Sequence, residues 1–201
     1  DEFNGQQIDL SSWTFDIGTG APSFKEYGVS SPYFTPKDFP NDNFSVRWEG
    51  QIKIDQSSTY TFYIISDDGV RLFINGEDII NNWQAQPATE NKGSITLQGS
   101  STYPIVIEYF EDSGGEAMIL GWESENFNKK LITSENLVTK DGKPGLKGTY
   151  YRNKTLKSSD KKKPLVRIDK ELNWVTGGGW GNNEAQYYTD NPKNVRVQNG
   201  R

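Results

Sequence analysis

The chain has 201 residues with a formal net charge of −5, and it contains neither cysteine nor histidine. The acidic balance argues against a nucleic-acid-binding protein, and no apolar run approaches the ~20 residues needed for membrane insertion. Without thiols and imidazoles, disulfides and serine–histidine triads are excluded, and a bound metal would need oxygen ligands, as calcium and magnesium do.

Aromatic residues make up 13% of the chain, and glycine occurs 20 times. Aromatic and β-branched residues interrupted by Gly, Asn, Asp and Ser are typical of short strands joined by tight turns. The composition therefore predicts an all-β protein.

Period-two alternation predicts strands along the first two thirds of the chain. The stretches with this pattern are Phe44–Trp48, Gly50–Asp55, Tyr60–Ile65, Val70–Ile74, Ser94–Leu97, Pro104–Phe110 and Ala117–Trp122. Asp67-Asp68-Gly69 forms a turn, and Asn75-Gly76 is a strong signal for a two-residue hairpin. The product is an antiparallel β-sandwich or jelly roll, with Trp48 and Trp122 in its core.

Lys140–Gly145 is rich in turn-forming residues and is interpreted as a linker. Two further strands are predicted after it, at Leu146–Tyr151 and Leu165–Ile168. The lysine run between them, Lys161–Lys163, is interpreted as a solvated loop tip.

Four blocks between Asn43 and Leu137 resemble one known family. They read "DNFSVRWEG", "TYTFYIISDDGVRLFINGEDIINNW", "YPIVIEYFEDSGGEAMILGW" and "LITSENL". In this order and at these distances they resemble the protective-antigen-type β-sandwich, the PA14 domain of bacterial toxins, glycosidases and yeast adhesins.

The opening block of that family is displaced. It resembles "GLKGTYYRN…LVRIDKELNW", which here occupies Gly145–Trp174, after the other blocks. The sandwich is therefore interpreted as circularly permuted, with the original ends joined through Lys140–Pro144, because sandwich termini commonly lie close together. Two truncated tandem copies are the alternative, although a split copy would leave an exposed sheet edge.

The outermost segments resemble a different family. "DEFNGQQIDLSSWTFDIGTG" and "GWGNNEAQYYTDNPKNVRVQNG" are similar to the first strands of family-sixteen glycoside hydrolases of the laminarinase type. The resemblance implies three parts: residues 1–20 and 177–201 from a retaining hydrolase, and the permuted sandwich at 21–176 inserted between them. The Glu-x-Asp-x-x-Glu pattern of that family's catalytic strand is absent from this chain, so we predict no complete catalytic site here.

Asp67 and Asp68 are the best candidates for a metal site. Two adjacent carboxylates repel each other unless they are solvated or bridged by a cation, and calcium would suit them. In the adhesin branch of the resembled family this paired-Asp turn holds calcium and sugar together. The alternative is a turn without a ligand, because Asp and Gly are ordinary turn formers.

Three further groups complete the candidate site. The loop from Glu111 to Glu116 could add Asp112 or Glu116 to the metal site, or it could be only an exposed acidic hairpin. Trp83 could stack on a pyranose ring beside the Asn82 amide, although it could equally be a core or rim residue. Asn182 and Asn183 could bind glucan hydroxyls in the hydrolase flank.

These observations predict a carbohydrate-recognition module, with β-glucan as its partner and calcium as a possible cofactor. Its parent would be a secreted or cell-surface bacterial endo-β-1,3-glucanase. The alternative is a structural or protein-contacting insert that binds no sugar.

Overall fold

The computed structural model describes residues 39–40, 42–158 and 163–175, and no helix occurs among them. Strands account for most of these residues. In chain order they are β1 Phe44–Ile54, β2 Ser58–Asp67, β3 Val70–Ile74, β4 Glu77–Asn82, β5 Thr89–Leu97, β6 Ser101–Glu111, β7 Ala117–Ser124, β8 Phe127–Leu131, β9 Leu137–Val138, β10 Leu146–Tyr151, β11 Leu165–Asp169 and β12 Asn173–Val175.

The strands form two antiparallel sheets. One sheet has seven strands in the order β11-β10-β1-β6-β3-β4, with β9 also paired to β1. The other has five strands in the order β12-β7-β2-β5, with β8 also paired to β7. This confirms the predicted all-β sandwich.

Alternation explains which side chains fill the core. In β2, Tyr60, Phe62 and Ile64 point inward and are buried, and Trp48 and Trp122 join the same cluster from β1 and β7. The prediction that Trp48 and Trp122 belong to the core is confirmed. The Asn75-Gly76 turn is also confirmed, since both residues have positive φ and join β3 directly to β4.

The block after residue 145 lies in the same sandwich as the earlier blocks. Strand β10 pairs with β1 over five residues, β11 pairs with β10, and β12 pairs with β7 in the opposite sheet. Both layers therefore need this late block. Circular permutation as the origin of this order stays a hypothesis.

The segment interpreted as a linker is a tight hairpin. Thr139 N donates to Lys143 O at 2.8 Å, and Gly145 N donates to Leu137 O at 2.9 Å. It turns the chain from β9 into β10 within one domain. The hydrolase-like segments 1–20 and 177–201 lie outside the described residues, as does most of the lysine run.

Within the part of the chain that the structure describes, no helix is long and apolar enough to span a membrane.

Candidate cation and ligand site

Three connections cross from one sheet to the other at the same end of the sandwich. They join β2 to β3, β4 to β5 and β6 to β7, and the register of the strands aligns them: Val70 is opposite both Asn82 and Tyr109. The paired-Asp turn is the first of these connections. The fold therefore brings together loops that lie far apart in the sequence.

Asp68 ties the three connections to one another. Its Oδ1 accepts a hydrogen bond from Gln86 N in the β4–β5 connection at 2.9 Å, and its Oδ2 accepts one from Asp112 N in the β6–β7 connection at 2.7 Å. The Gln86 side chain adds bonds from Nε2 to Ser66 Oγ at 3.1 Å and to Asp68 O at 3.2 Å. Asp68 is only 6% exposed, and the two backbone donors hold its carboxylate in place.

Two further carboxylates lie beside Asp68. Asp67, Asp68 and Glu111 each offer one oxygen, and these oxygens all lie within 4.8 Å of one another. Glu111 is 0% exposed, and its Oε1 has no hydrogen-bond partner. The peptide bond between Asp67 and Asp68 is cis. We call these three residues the carboxylate cluster.

Tyr109 connects two members of the cluster. Its hydroxyl lies within hydrogen-bond distance of the Asp67 carbonyl oxygen and 2.7 Å from Glu111 Oε2. A hydroxyl has one proton to donate. The Asp67 carbonyl oxygen and Glu111 Oε2 therefore compete for the same proton.

The electrostatics of the cluster favour bound protons or a bound cation. Burial raises the pKa of Glu111 to about 8, against the lowering effect of the Tyr109 bond, and the charges of Asp68, Glu116 and Asp67 raise it further. Burial and then the charge of Asp68 raise the pKa of Asp67 to about 6, while the Ala88 backbone N–H opposes this shift. Like charges held together in a buried place disfavour full ionisation.

The donor set fits a hard divalent cation. Calcium binds oxygen at about 2.3–2.6 Å, so two ligands of one ion lie at most about 5 Å apart. The spacing of the carboxylate cluster meets this limit. The unpartnered Glu111 Oε1 supplies a lone pair that no protein donor uses. Three carboxylates leave coordination positions for water or sugar hydroxyls.

The predicted rim residues have protein partners of their own. Asn82 Nδ2 donates to Gln86 Oε1 at 2.6 Å and to Asn91 Oδ1 at 2.9 Å. Trp83 is half-buried; it packs edge-to-face on Phe110, and the Arg71 guanidinium lies 4.0 Å from its ring centre. A sugar stacking on that face would have to displace Arg71.

The structure brings Asp67 and Asp68 together with Glu111, which the sequence interpretation had not assigned. The Asp112 carboxylate forms an ion pair with Lys154 at 2.6 Å, and its role as a ligand stays a prediction. Asn182 and Asn183 lie outside the described residues. Gln86 was also missed, because a loop glutamine has no pattern that marks it.

Comparison with known proteins assigns the family. The PA14 domain model matches residues 29–136, more than half of the chain. The chain belongs to the PA14 domain family. This PA14 chain is similar to the anti-sigma-I factor RsgI3 of Acetivibrio thermocellus, with 34% identity over 166 residues that cover 80% of the chain.

Two other similar proteins complete the comparison. The PA14 chain is 25% identical over 138 residues, 67% of its length, to the protective antigen of Bacillus anthracis. It spans 23% of RsgI3 and 16% of the protective antigen. A solved anti-sigma factor domain-containing protein aligns with a TM-score of 0.51 and 35% identity, covering 67% of this chain and 47% of that one.

Proposed function

We propose that this PA14 domain recognises carbohydrate at the end of the sandwich that carries the carboxylate cluster, and that calcium assists it. The observation that carries the proposal is the buried, unpartnered Oε1 of Glu111 beside Asp67 and Asp68. A buried carboxylate without a partner is costly, and a cation removes that cost. Asn82 ends β4 and Trp83 begins the connection that follows, at the same end of the sandwich as the cluster.

The ligand class and the parent protein are separate parts of the proposal. The laminarinase-like flanks support β-glucan and a secreted or cell-surface hydrolase parent. The 34% identity to RsgI3 over most of the chain favours a second parent, a regulatory protein of the anti-sigma factor class. A Glu-x-Asp-x-x-Glu strand in the sequence after Arg201 of the intact protein would support the hydrolase; its absence would exclude it.

A structural insert without a sugar ligand is the competing interpretation. The two backbone N–H groups on Asp68 favour it, because they stabilise that carboxylate without any ion. They do nothing for Glu111 Oε1, which this interpretation leaves unexplained.

Calorimetric titration with laminari-oligosaccharides, with and without a chelator, tests the proposal. We expect calcium at about a hundred times its Kd to stabilise the fold by about 2.7 kcal/mol, seen as a higher Tm, and Asp67→Asn to abolish this effect. Asp141→Asn, in an exposed hairpin, is the matched control. The proposal would be overturned if calcium does not stabilise the fold and no glucan gives heat of binding.

A further inference from the structure

Asp112 is the point where the carboxylate cluster meets two distant parts of the chain. Its backbone N donates to Asp68 Oδ2 at 2.7 Å, and its backbone O accepts from Asn43 N at 3.0 Å. Its side-chain Oδ1 accepts from Lys154 Nζ at 2.6 Å. Asn43 directly precedes β1, whereas Lys154 belongs to the late block, in the β10–β11 connection. Asp112 therefore links the carboxylate cluster, the residue before β1 and the late block.

The part of the chain that carries Lys154 is itself anchored to a core strand. Ser45 Oγ in β1 donates to Asn153 O at 2.6 Å and accepts from Leu156 N at 3.0 Å. Ser45 is buried, so both bonds attach the connection to a side chain that is fixed in the sandwich. Lys154 thus lies between two fixed points and is held near Asp112.

A second contact holds the same loop to the residues before β1. Gly114 N donates to Asp42 Oδ1 at 3.1 Å, and Gly114 has a φ of 109°, which a residue with a side chain rarely adopts. The β6–β7 connection is therefore held both by the residues before β1 and by the late block. Its Asp112 N–H is presented to Asp68 by these contacts together.

We propose that Asp112 is a positioning residue, which acts on the cluster through its backbone N–H, and that Lys154 holds it in place. This inference rests on the proposed function, because it concerns the same cation site. The late block then controls the site without lining it: Lys154 fixes the Asp112 carboxylate, the loop backbone follows, and Asp68 Oδ2 keeps its donor. The ligand geometry of the cluster depends on a lysine 86 residues further along the chain than Asp68.

Lys154→Met separates positioning from simple charge effects. Removing a positive charge beside the site removes its Coulomb repulsion of a bound cation, so charge alone would strengthen calcium binding. An Asp112 carboxylate that is released to act as a ligand would strengthen binding too. Positioning predicts the opposite, a calcium affinity about two- to fivefold weaker, as expected for the loss of an ion pair whose side chains are 39% and 41% exposed. Lys157→Met is the matched control, and Lys154→Arg should restore affinity.

Amide hydrogen exchange without calcium gives an independent measurement. We expect the Asp112 amide to exchange about two- to fivefold faster in Lys154→Met than in wild-type protein, with no change in Lys157→Met. Unchanged exchange, or a tighter calcium complex, would overturn the inference. If wild-type protein binds no calcium, the proposed cation site fails, while exchange at Asp112 still decides whether Lys154 holds that residue in place.

Discussion

Replacing Asp169 by Asn would test whether the late block is part of the core. Asp169 Oδ2 accepts from Trp48 Nε1 at 2.7 Å and from the Tyr150 hydroxyl at 2.6 Å, and Oδ1 forms an ion pair with Arg167 Nε at 2.7 Å. The Arg167 guanidinium also donates to the Tyr150 hydroxyl at 2.7 Å. Asp169 and Tyr150 are buried, and the network joins β11, β10 and β1.

Asp169→Asn keeps the volume and removes the charge, so Arg167 loses its charged partner in a mostly buried place. Breaking a buried ion pair in this way costs about 3–5 kcal/mol. The matched control is Asp141→Asn, whose ion pair with Lys143 spans 3.2 Å and leaves both side chains 64% exposed. A surface pair of this kind contributes little to stability, because solvent and salt screen it.

Urea unfolding at pH 7 gives the free energy of unfolding of both variants. Domains have unfolding free energies of about 5–15 kcal/mol, so a loss of a few kcal/mol is readily measured. We expect Asp169→Asn to lower the free energy of unfolding several times more than Asp141→Asn. Equal losses below about 1 kcal/mol would refute the reasoning, since a late block packed only on the surface would leave Asp169 in water.

Three other predictions concern the site. In EDTA, the free energy of unfolding should decrease as pH rises from about 4.5 towards 8, because folded Glu111 keeps its proton while the unfolded chain loses it. One such group changes the free energy of unfolding by at most about 1.4 kcal/mol per pH unit. Glu111→Gln should remove this pH dependence. A stability difference between the variant and wild type that stays constant with pH would contradict the prediction. Calcium affinity by calorimetry should increase between pH 6 and 8, by up to about tenfold per unit, because binding displaces the Glu111 proton; pH-independent affinity would exclude Glu111 as a ligand. Gly69→Ala should destabilise the fold by about 1–3 kcal/mol in urea unfolding, since the added Cβ would lie 2.2 Å from Phe110 Cε1; Gly76→Ala, where nothing lies within 4 Å, is the comparison for backbone strain alone.

The sequence could predict the sandwich because its signals are local. Strand β2 alternates from Ser58 to Phe62, and a turn of Asn75 and Gly76 is a strong signal for a hairpin. Strand β4 was missed because Glu77–Asn82 has polar residues at most positions, so its pairing with β3 is decided by the turn before it. The hairpin at Lys140–Gly145 was interpreted as a linker because glycine and proline indicate a break without saying whether the chain folds back.

The candidate site could be predicted only in part, because a site depends on pairing between distant strands. Glu111 had an available signal: it continues the inward positions Ile105, Ile107 and Tyr109 to the end of β6. Alternation therefore places a carboxylate in the core, which should have identified it as a ligand before the exposed loop that follows. Lys154 had no such signal, because only the pairing of β10 with β1 brings its loop to this end.

The unequal partners of the three acids limit what the cluster can be. Asp68 receives two backbone N–H groups, so a structural turn explains it fully. Glu111 receives one hydroxyl contact and leaves a buried oxygen unpartnered, so a structural turn would be served at least as well by glutamine at that position. If Glu111→Gln stabilises the calcium-free protein at pH 8 and also abolishes calcium binding, the acid is there for the ion. If the variant binds calcium as wild-type protein does, Asp67 and Asp68 suffice, and Glu111 needs another explanation.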